Sequence, residues 1–285
     1  MEHLVLRNER VGENCYRLSL ELPKDPPPPV PGQFYNIRCN GKMDPLLRRP
    51  FSVHRLTEES GIPCLQILYR VIGKGTEWLS SRKKGEALDL LGPLGNGFLI
   101  ARSADVVLAA RGIGIAPLCA VADAVSALVP ESRLHILMGA RFKDRVFYRR
   151  ELERLGTLHL YTDDGSLGFH GRAPDLLLHL FETGKVPRTC SLYACGPAPM
   201  LMELSALSER FGFEGQVALE THMGCGFGAC LSCAVPLRPS SLRRNTLWTK
   251  SALQWSEDGR TCYSLICRDG PVYDIREVDW DEWLS

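Results

Sequence analysis

Asp105-Val106-Val107-Leu108-Ala109-Ala110-Arg111-Gly112-Ile113-Gly114-Ile115-Ala116-Pro117-Leu118-Cys119-Ala120-Val121-Ala122-Asp123-Ala124-Val125-Ser126-Ala127-Leu128 is the stretch on which the fold turns. By length and apolarity residues 106–129 could cross a bilayer, but Arg111 and Asp123 and the breakers Gly112, Gly114 and Pro117 interrupt them. The stretch reads instead as a short buried strand (105–109), a tight turn (111–114) and a helix with apolar residues at helical spacing (116–128). No membrane span is expected.

The same unit recurs downstream. Residues 133–139 give a second buried strand, 148–155 a helix and 158–162 a third strand. Residues 191–194, the turn Cys195-Gly196-Pro197 and a helix over 198–211 repeat it once more. Strand alternating with helix predicts a parallel sheet with crossover helices. Upstream the period is different. Runs at 16–22, 34–39, 51–56 and 64–71 carry β-branched and aromatic residues between turn formers, which predicts a small antiparallel β-barrel or sandwich. Pro26 to Pro29 reads as a stiff exposed loop. The last part of the chain is glycine-rich, weakly periodic and rich in cysteine, the composition of a small segment held together by a metal or cluster. The expected fold class is multidomain, β plus α/β: a β-barrel over 1–99, a parallel-sheet nucleotide-binding domain over 100–216 and a cluster domain over 217–285.

A chain of 285 residues, 45% hydrophobic and 24% charged, builds ordinary packed cores in more than one domain. Thirty-four basic against 33 acidic residues leave a net charge of +1, so no global field attracts nucleic acid or an anionic membrane. Eleven cysteines, an odd number, with no apolar leader in MEHLVLRNER, argue against a secreted disulfide scaffold and for a reducing cytoplasm. There, clustered thiols read as metal ligands.

Cys225-Gly226-Phe227-Gly228-Ala229-Cys230-Leu231-Ser232-Cys233 is the strongest motif. Its C-x4-C-x2-C spacing followed by a distant cysteine is the plant-type arrangement for a [2Fe–2S] cluster. The glycines allow the loop to wrap closely and to aim N–H groups at the sulfides. Zinc, the rival, also takes four cysteines but usually through two C-x2-C pairs, and only one is present. Spacing leaves the fourth ligand open between Cys262 and Cys267.

Arg48-Arg49-Pro50-Phe51-Ser52-Val53 pairs a basic flank with an extended strand, able to hold a phosphate and face a planar ring. Alone it also fits an ordinary exposed strand. Leu68-Tyr69-Arg70 and the turn Gly73-Lys74-Gly75-Thr76, which leads into a helix over 77–81 with backbone donors for a pyrophosphate, strengthen the first reading. The turns at Gly112-Ile113-Gly114 and Cys195-Gly196-Pro197 belong at the carboxyl edge of the parallel sheet, where open α/β sheets bind nucleotides. Neither completes G-x-G-x-x-G, so an ordinary dinucleotide Rossmann domain is not inferred.

Taken in order, RRPFSV, GKGT, GPLGNGF, GIGIAPL, YACGPAPML, CGFGACLSC and CRDGPVY resemble the iron–sulfur electron-transfer subunit of class B dihydroorotate dehydrogenase, within the ferredoxin–NADP reductase superfamily. The resemblance covers nearly the whole chain. It implies FAD at Arg49, Pro50, Phe51 and Ser52, with Arg49 at the phosphates and Ser52 near the ring; at Leu68, Tyr69 and Arg70; and at Gly75 and Thr76. It implies NAD(H) as co-substrate at Gly112, Gly114, Cys195, Gly196 and Pro197. Its C-x-D-G-P-V context selects Cys267 to join Cys225, Cys230 and Cys233 as cluster ligands. The implied partner is a catalytic redox subunit, FMN-containing, in a hetero-oligomer such as a heterotetramer of pyrimidine biosynthesis. No catalytic acid or base is expected in this chain, because substrate chemistry would lie on that partner.

Two departures stand out. Arg111 takes a place where the family usually has glycine, and could alter nucleotide affinity or meet a phosphate. The interval between Cys233 and Cys267 is longer than usual and carries Arg238, Arg243, Arg244, Trp248 and Lys250, a solvated loop or a docking loop. Trp280 and Trp283 in the acidic end either pack on the core or meet a partner. Two other functions remain open: a diaphorase subunit of a transhydrogenase, sulfide dehydrogenase or sulfite reductase complex, and a redox-responsive binding protein without turnover, which Arg111 would favour.

Overall fold

The computed structural model describes residues 2–22, 28–40, 44–239, 254–257, 259 and 261–284. The amino-terminal part forms a seven-stranded antiparallel sheet from β1 (Glu2–Gly12), β2 (Cys15–Glu21), β3 (Phe34–Ile37), β4 (Arg49–Ser52), β5 (Arg55–Glu59), β6 (Ile62–Arg70) and β7 (Ala87–Leu94), in the order β4-β3-β7-β1-β2-β6-β5. The sheet curls until β4 lies against β6. Alternate side chains such as Leu18, Leu20, Leu65, Ile67 and Leu88 fill the interior. Helix α1 (Lys74–Ser80) begins three residues before the predicted start.

The run expected as one strand over 51–56 is two. β4 pairs with β3, Phe51 opposite Tyr35, whereas β5 pairs with β6, Leu56 opposite Leu65. The break falls at Val53 and His54, because His54 turns away from the barrel into the neighbouring domain. Its Nδ1 donates to Ala116 O at 2.9 Å, and its Nε2 accepts from the Tyr148 hydroxyl at 3.0 Å.

The second sheet follows the predicted alternation: β8 (Asp105–Arg111), β9 (Arg133–Ala140), β10 (Thr157–Thr162), β11 (Phe169–His170), β12 (Ser191–Cys195) and β13 (Glu214–Ala218), all mutually parallel, ordered β11-β10-β9-β8-β12-β13. Helices α2 (Ile115–Leu128), α3 (Arg149–Glu153), α4 (Ala173–Glu182) and α5 (Ala198–Phe211) provide the crossovers and flanks. β8 and β12 are buried along almost their whole length, as central strands covered on both faces must be.

The cysteine-bearing part adds β14 (Ala234–Leu237), β15 (Gln254–Trp255) and β16 (Cys262–Leu265) in the order β14-β16-β15, then α6 (Ile266–Asp269), β17 (Val272–Asp274) and α7 (Trp280–Leu284). Its described residues share the core of the α/β sheet. Val235, Ile266, Ile275 and Trp280 belong to one apolar cluster with Leu192, Leu201 and Val217 of the α/β sheet. β17 extends that sheet, pairing antiparallel with β13. Trp280 is buried, donates to Ile275 O at 3.1 Å and packs against Trp283, so this pair meets the core. Arg238 pairs with Glu209; Arg243, Arg244, Trp248 and Lys250 lie outside the described residues, as do Pro26 and Pro27 of the proline run. Among the described residues no helix is long and apolar enough to cross a membrane.

Candidate functional site

The side chains of β4 (Arg49, Pro50, Phe51, Ser52) are all half-buried, an open face at the rim of the barrel. Arg49 Nη1 donates to Leu47 O at 2.7 Å. Gly75 lies beside Arg49, since a Cβ there would sit 3.5 Å from Arg49 Cγ and 3.2 Å from Cys39 Cβ. Arg49 and the first turn of α1 therefore share one corner. The Thr76 hydroxyl is spent within that turn, accepting from Ile72 N at 2.9 Å and Gly73 N at 3.2 Å and donating to Gly73 O. It shapes the turn, and the N–H groups of the first helical residues are left for a ligand.

Leu68 and Tyr69 are core residues, 3% and 2% exposed, with the Tyr69 hydroxyl donating to Asn8 Oδ1 and its ring edge-on to Phe51. What they offer outward is backbone. β5 pairs with β6 only as far as Gln66, whose carbonyl takes His54 N. By the two-residue period of a strand, the N–H and C=O groups of Leu68 and Arg70 point the same way as those of Gln66, along an edge that no described strand covers beside β4. An open strand edge, an aromatic floor and an arginine at a helix turn fit a planar ring with a pyrophosphate tail.

At the carboxyl edge of the parallel sheet the two predicted turns are in contact. A Cβ on Gly114 would lie 2.2 Å from Cys195 O, so only glycine permits this approach. Gly112 adopts φ +58°, the left-handed turn that glycine allows, with Arg70 Nη2 close by. Between barrel and sheet opens a cavity of about 440 Å³ lined by Cys15, Arg70, Arg111, Gly112, Phe142 and Pro197, the size of a nucleotide pocket. Arg111 is committed to an ion pair with Asp163, whose Oδ1 is buried without a partner.

Glu220 is the residue that sequence reading missed. It follows β13, keeps solvent-exposed surface, and accepts from the Cys195 thiol at 3.8 Å. Burial pushes its carboxyl up, against the pull of Cys195 and Arg70, and pushes the Cys195 thiol well above its ordinary value. A single Glu outside any motif carries no sequence signal; adjacency of β12 and β13 places it.

The four cysteines fall into two pairs. Cys225 Sγ accepts from Ala229 N (3.3 Å) and Cys230 N (3.4 Å), while Cys230 Sγ accepts from Cys225 N (3.4 Å) and meets Ser232 Oγ at 3.1 Å. Cys233 Sγ and Cys267 Sγ are 3.2 Å apart. Cys262 lies in β16 opposite Leu237 and Trp255, so of the two it is Cys267 that meets Cys233. The Ser232 hydroxyl, with backbone N–H groups, pulls the Cys230 thiol down to about 6. In the other pair the Cys267 contact pulls Cys233 down to about 6 and Cys267 is pushed up, so one proton leaves readily and the other is held. Two pairs of thiols, one in each pair easily deprotonated, suit two irons each taking two sulfurs; among the described residues no three ligating side chains converge on a single-ion site. Gly226 and Gly228 adopt φ +81° and +89°. Asp269, buried, accepts from Leu265 N at 3.2 Å, and Asn96 donates to Asp269 O at 3.0 Å, so GPLGNGF braces the turn that presents Cys267.

The loop also touches the barrel. Asn36 of β3 donates from Nδ2 to Cys225 O at 3.1 Å, next to Pro50 of β4 in the strand register.

The solved structure of an NADH-dependent reduced ferredoxin–NADP oxidoreductase, described for its insights into flavin-based electron bifurcation, aligns with a TM-score of 0.78 at 27% identity, covering 99% of this chain and 91% of that one. The curled antiparallel sheet, the parallel α/β sheet and the cysteine loop define a ferredoxin–NADP reductase-type electron-transfer protein extended by an iron–sulfur segment. The family model for the iron–sulfur cluster binding domain of dihydroorotate dehydrogenase B matches residues 220–245. The chain is 36% identical over 283 residues to the dihydroorotate dehydrogenase B (NAD(+)) electron transfer subunit of Desulforamulus reducens (97% of each chain), and 37% identical over 278 residues to that of Caldanaerobacter subterraneus subsp. tengcongensis (98% of each). The chain belongs to the family of dihydroorotate dehydrogenase B electron transfer subunits.

Proposed function

We propose that this chain carries electrons between NAD(H) and a catalytic partner subunit, through FAD and a [2Fe–2S] cluster, in a cytoplasmic hetero-oligomer whose partner is an FMN-containing dihydroorotate dehydrogenase. The observation that carries it is convergence: Arg70 ends the open edge of β6 and also lines the nucleotide cleft against Gly112. The full-length relatives at 36% and 37% identity support this over the transhydrogenase-type reading at 27%.

In this reading the barrel over 1–99 holds FAD, with Arg49 and the Gly75–Thr76 turn at the phosphates, Pro50, Phe51 and Ser52 along the ring, and Leu68, Tyr69 and Arg70 supplying backbone. The part over 100–216 presents Gly112, Gly114, Cys195, Gly196 and Pro197 to the nicotinamide nucleotide. In the part over 217–285, Cys225, Cys230, Cys233 and Cys267 hold the cluster. Bound flavin supplies the conversion between a two-electron hydride donor and a one-electron acceptor. The chain's own work is positional: the turns set the nucleotide against the ring in the cleft that Arg70, Gly112 and Pro197 line, and Cys195, buried behind those turns with Glu220 beside it, supports them. Arg111 is spent on Asp163, which removes the reason for a binding protein without turnover.

The test is the visible spectrum of anaerobically purified protein with flavin and iron analysis, followed by stopped-flow mixing with NADH and NADPH. Flavin and iron present with rapid bleaching by NADH is the expected result. Absence of both groups, or a bound flavin that neither nucleotide reduces, would overturn the reading.

A further inference from the structure

Asn36 is out of place for a purely structural residue. It is 2% exposed in a short strand whose other members are apolar, and its Oδ1 is buried with no hydrogen-bond partner. A buried amide left half-satisfied costs stability that Val or Leu would not. Its single side-chain hydrogen bond leaves the barrel altogether, running from Nδ2 to Cys225 O at 3.1 Å. The receiving loop is shaped for it: Gly226, at φ +81°, lies so close that a Cβ would fall 1.7 Å from Asn36 Nδ2. On the other side Asn36 faces Pro50 of β4 and Leu91 of β7. Pro50 has no N–H to give, and Asn36 O is met instead by Arg48 Nη1 at 3.4 Å, an arginine fastened to Asp89 O at 2.9 Å. One residue thus touches the backbone of a cluster cysteine and neighbours the strand that carries the flavin motif.

We propose that Asn36 is a positioning residue for electron transfer, its Nδ2–H···O=C bond to Cys225 fixing the cluster loop against the flavin strand. This rests on the cofactor assignment proposed above. No bond forms or breaks at Asn36. NADH reduces the flavin by two electrons; one electron then leaves the reduced flavin and the oxidised cluster gains it, and Asn36 holds the distance over which it passes.

The experiment compares Asn36→Asp and Asn36→Ala in the whole, loaded protein. Asp keeps the outline of the side chain but exchanges the amide donor for a carboxyl that can carry charge, whereas Ala removes the donor without adding charge, so an effect common to both variants reports the lost hydrogen bond. After flavin and iron analysis, NADH is mixed anaerobically, and flavin bleaching and cluster reduction are followed separately, with the electron paramagnetic resonance signal of the reduced cluster as a readout independent of rate. In both variants NADH-to-flavin reduction should keep its rate, while flavin-to-cluster transfer slows severalfold, because electron tunnelling weakens as the loop moves away from the flavin strand. Loss of iron from Asn36→Ala, which adds no charge, with flavin retained and an unchanged melting temperature also counts for the proposal, since the bond to Cys225 is what the cluster loop lost. A fully loaded Asn36→Asp that transfers at the wild-type rate with an unchanged resonance signal would overturn it. Wild-type protein lacking flavin and iron would instead defeat the cofactor assignment.

Discussion

Replacing Gly114 by alanine isolates what close approach of the two nucleotide turns is worth. Gly114 has φ −58° and ψ −12°, an ordinary helical conformation, so alanine meets no backbone strain and gains helix propensity. The whole penalty is contact. The new Cβ would lie 2.2 Å from Cys195 O, 2.7 Å from Cys195 C and 3.2 Å from Gly196 N, all of them backbone atoms that no rotamer change can move. Restoring ordinary contact requires the turns to part by about 1 Å, an overpacking cost of roughly 1–3 kcal/mol. At about 2–4 °C per kcal/mol, the melting temperature should fall by roughly 2–12 °C. Misplacement on that scale in a reacting pair can cost about 100-fold, so flavin reduction by NADH should slow by roughly 10- to 100-fold at unchanged flavin content. Gly112→Ala is the control. Its φ of +58° adds backbone strain of about 1 kcal/mol, but its Cβ meets only Arg70 Nη2 at 3.5 Å, so stability should fall without the two turns being driven apart, and the reduction rate should fall less than in Gly114→Ala. Stopped-flow bleaching of the flavin over a series of NADH concentrations measures both. A Gly114→Ala protein with wild-type rate, NADH affinity and melting temperature would refute the reasoning.

Burial depresses the His54 imidazole from its ordinary 6.5 to about 3. As pH falls, the unfolded chain takes up this proton first. The stabilisation is therefore complete above pH 6.5 and is lost as pH falls toward 3, at up to ~1.4 kcal/mol per pH unit. His54→Gln should consequently lose roughly 2–3 kcal/mol less than wild type between pH 6.5 and 4.5 in urea unfolding, and parallel curves would show that His54 is not held neutral. For Arg111, the pair with Asp163 predicts that Arg111→Gly lowers stability by about 1–2 kcal/mol with a small change in the KM for NADH; a large rise in KM without a change in melting temperature would give Arg111 to the nucleotide. Cys267→Ser should lose the cluster while Cys262→Ser keeps it, judged by iron content and the resonance spectrum; the reverse result would overturn the ligand set.

What the sequence made legible was what period and spacing encode. The strand, turn and helix over 105–128 appear within a residue or two of their predicted bounds, because a buried run, a glycine turn and a helical apolar stripe are local signals. The C-x4-C-x2-C loop was legible for the same reason. What could not be seen locally was decided by distant partners. His54 breaks its strand for hydrogen-bond partners 62 and 94 positions away, one an acceptor and one a donor, and nothing near it in the chain announces them. Leu68 and Tyr69 carry a recognisable motif, yet their side chains serve the core and only strand pairing reveals that the backbone is what faces outward. Cys262 and Cys267 are equal by spacing and separate only when β16 and α6 place them. The shared core beneath the cysteine loop was also hidden, since composition describes a segment but not the surface on which it folds.

The pairing of β17 with β13 has a consequence for biogenesis. During synthesis β13 emerges before β17, and until residues 272–274 follow, its edge is without the strand that pairs with it. An uncovered edge is a template for wrong pairing. The covering strand follows directly on α6, which bears Cys267, so that thiol and the strand that seals the sheet reach the fold together. A nascent chain stalled before that point lacks both Cys267 and the partner of β13.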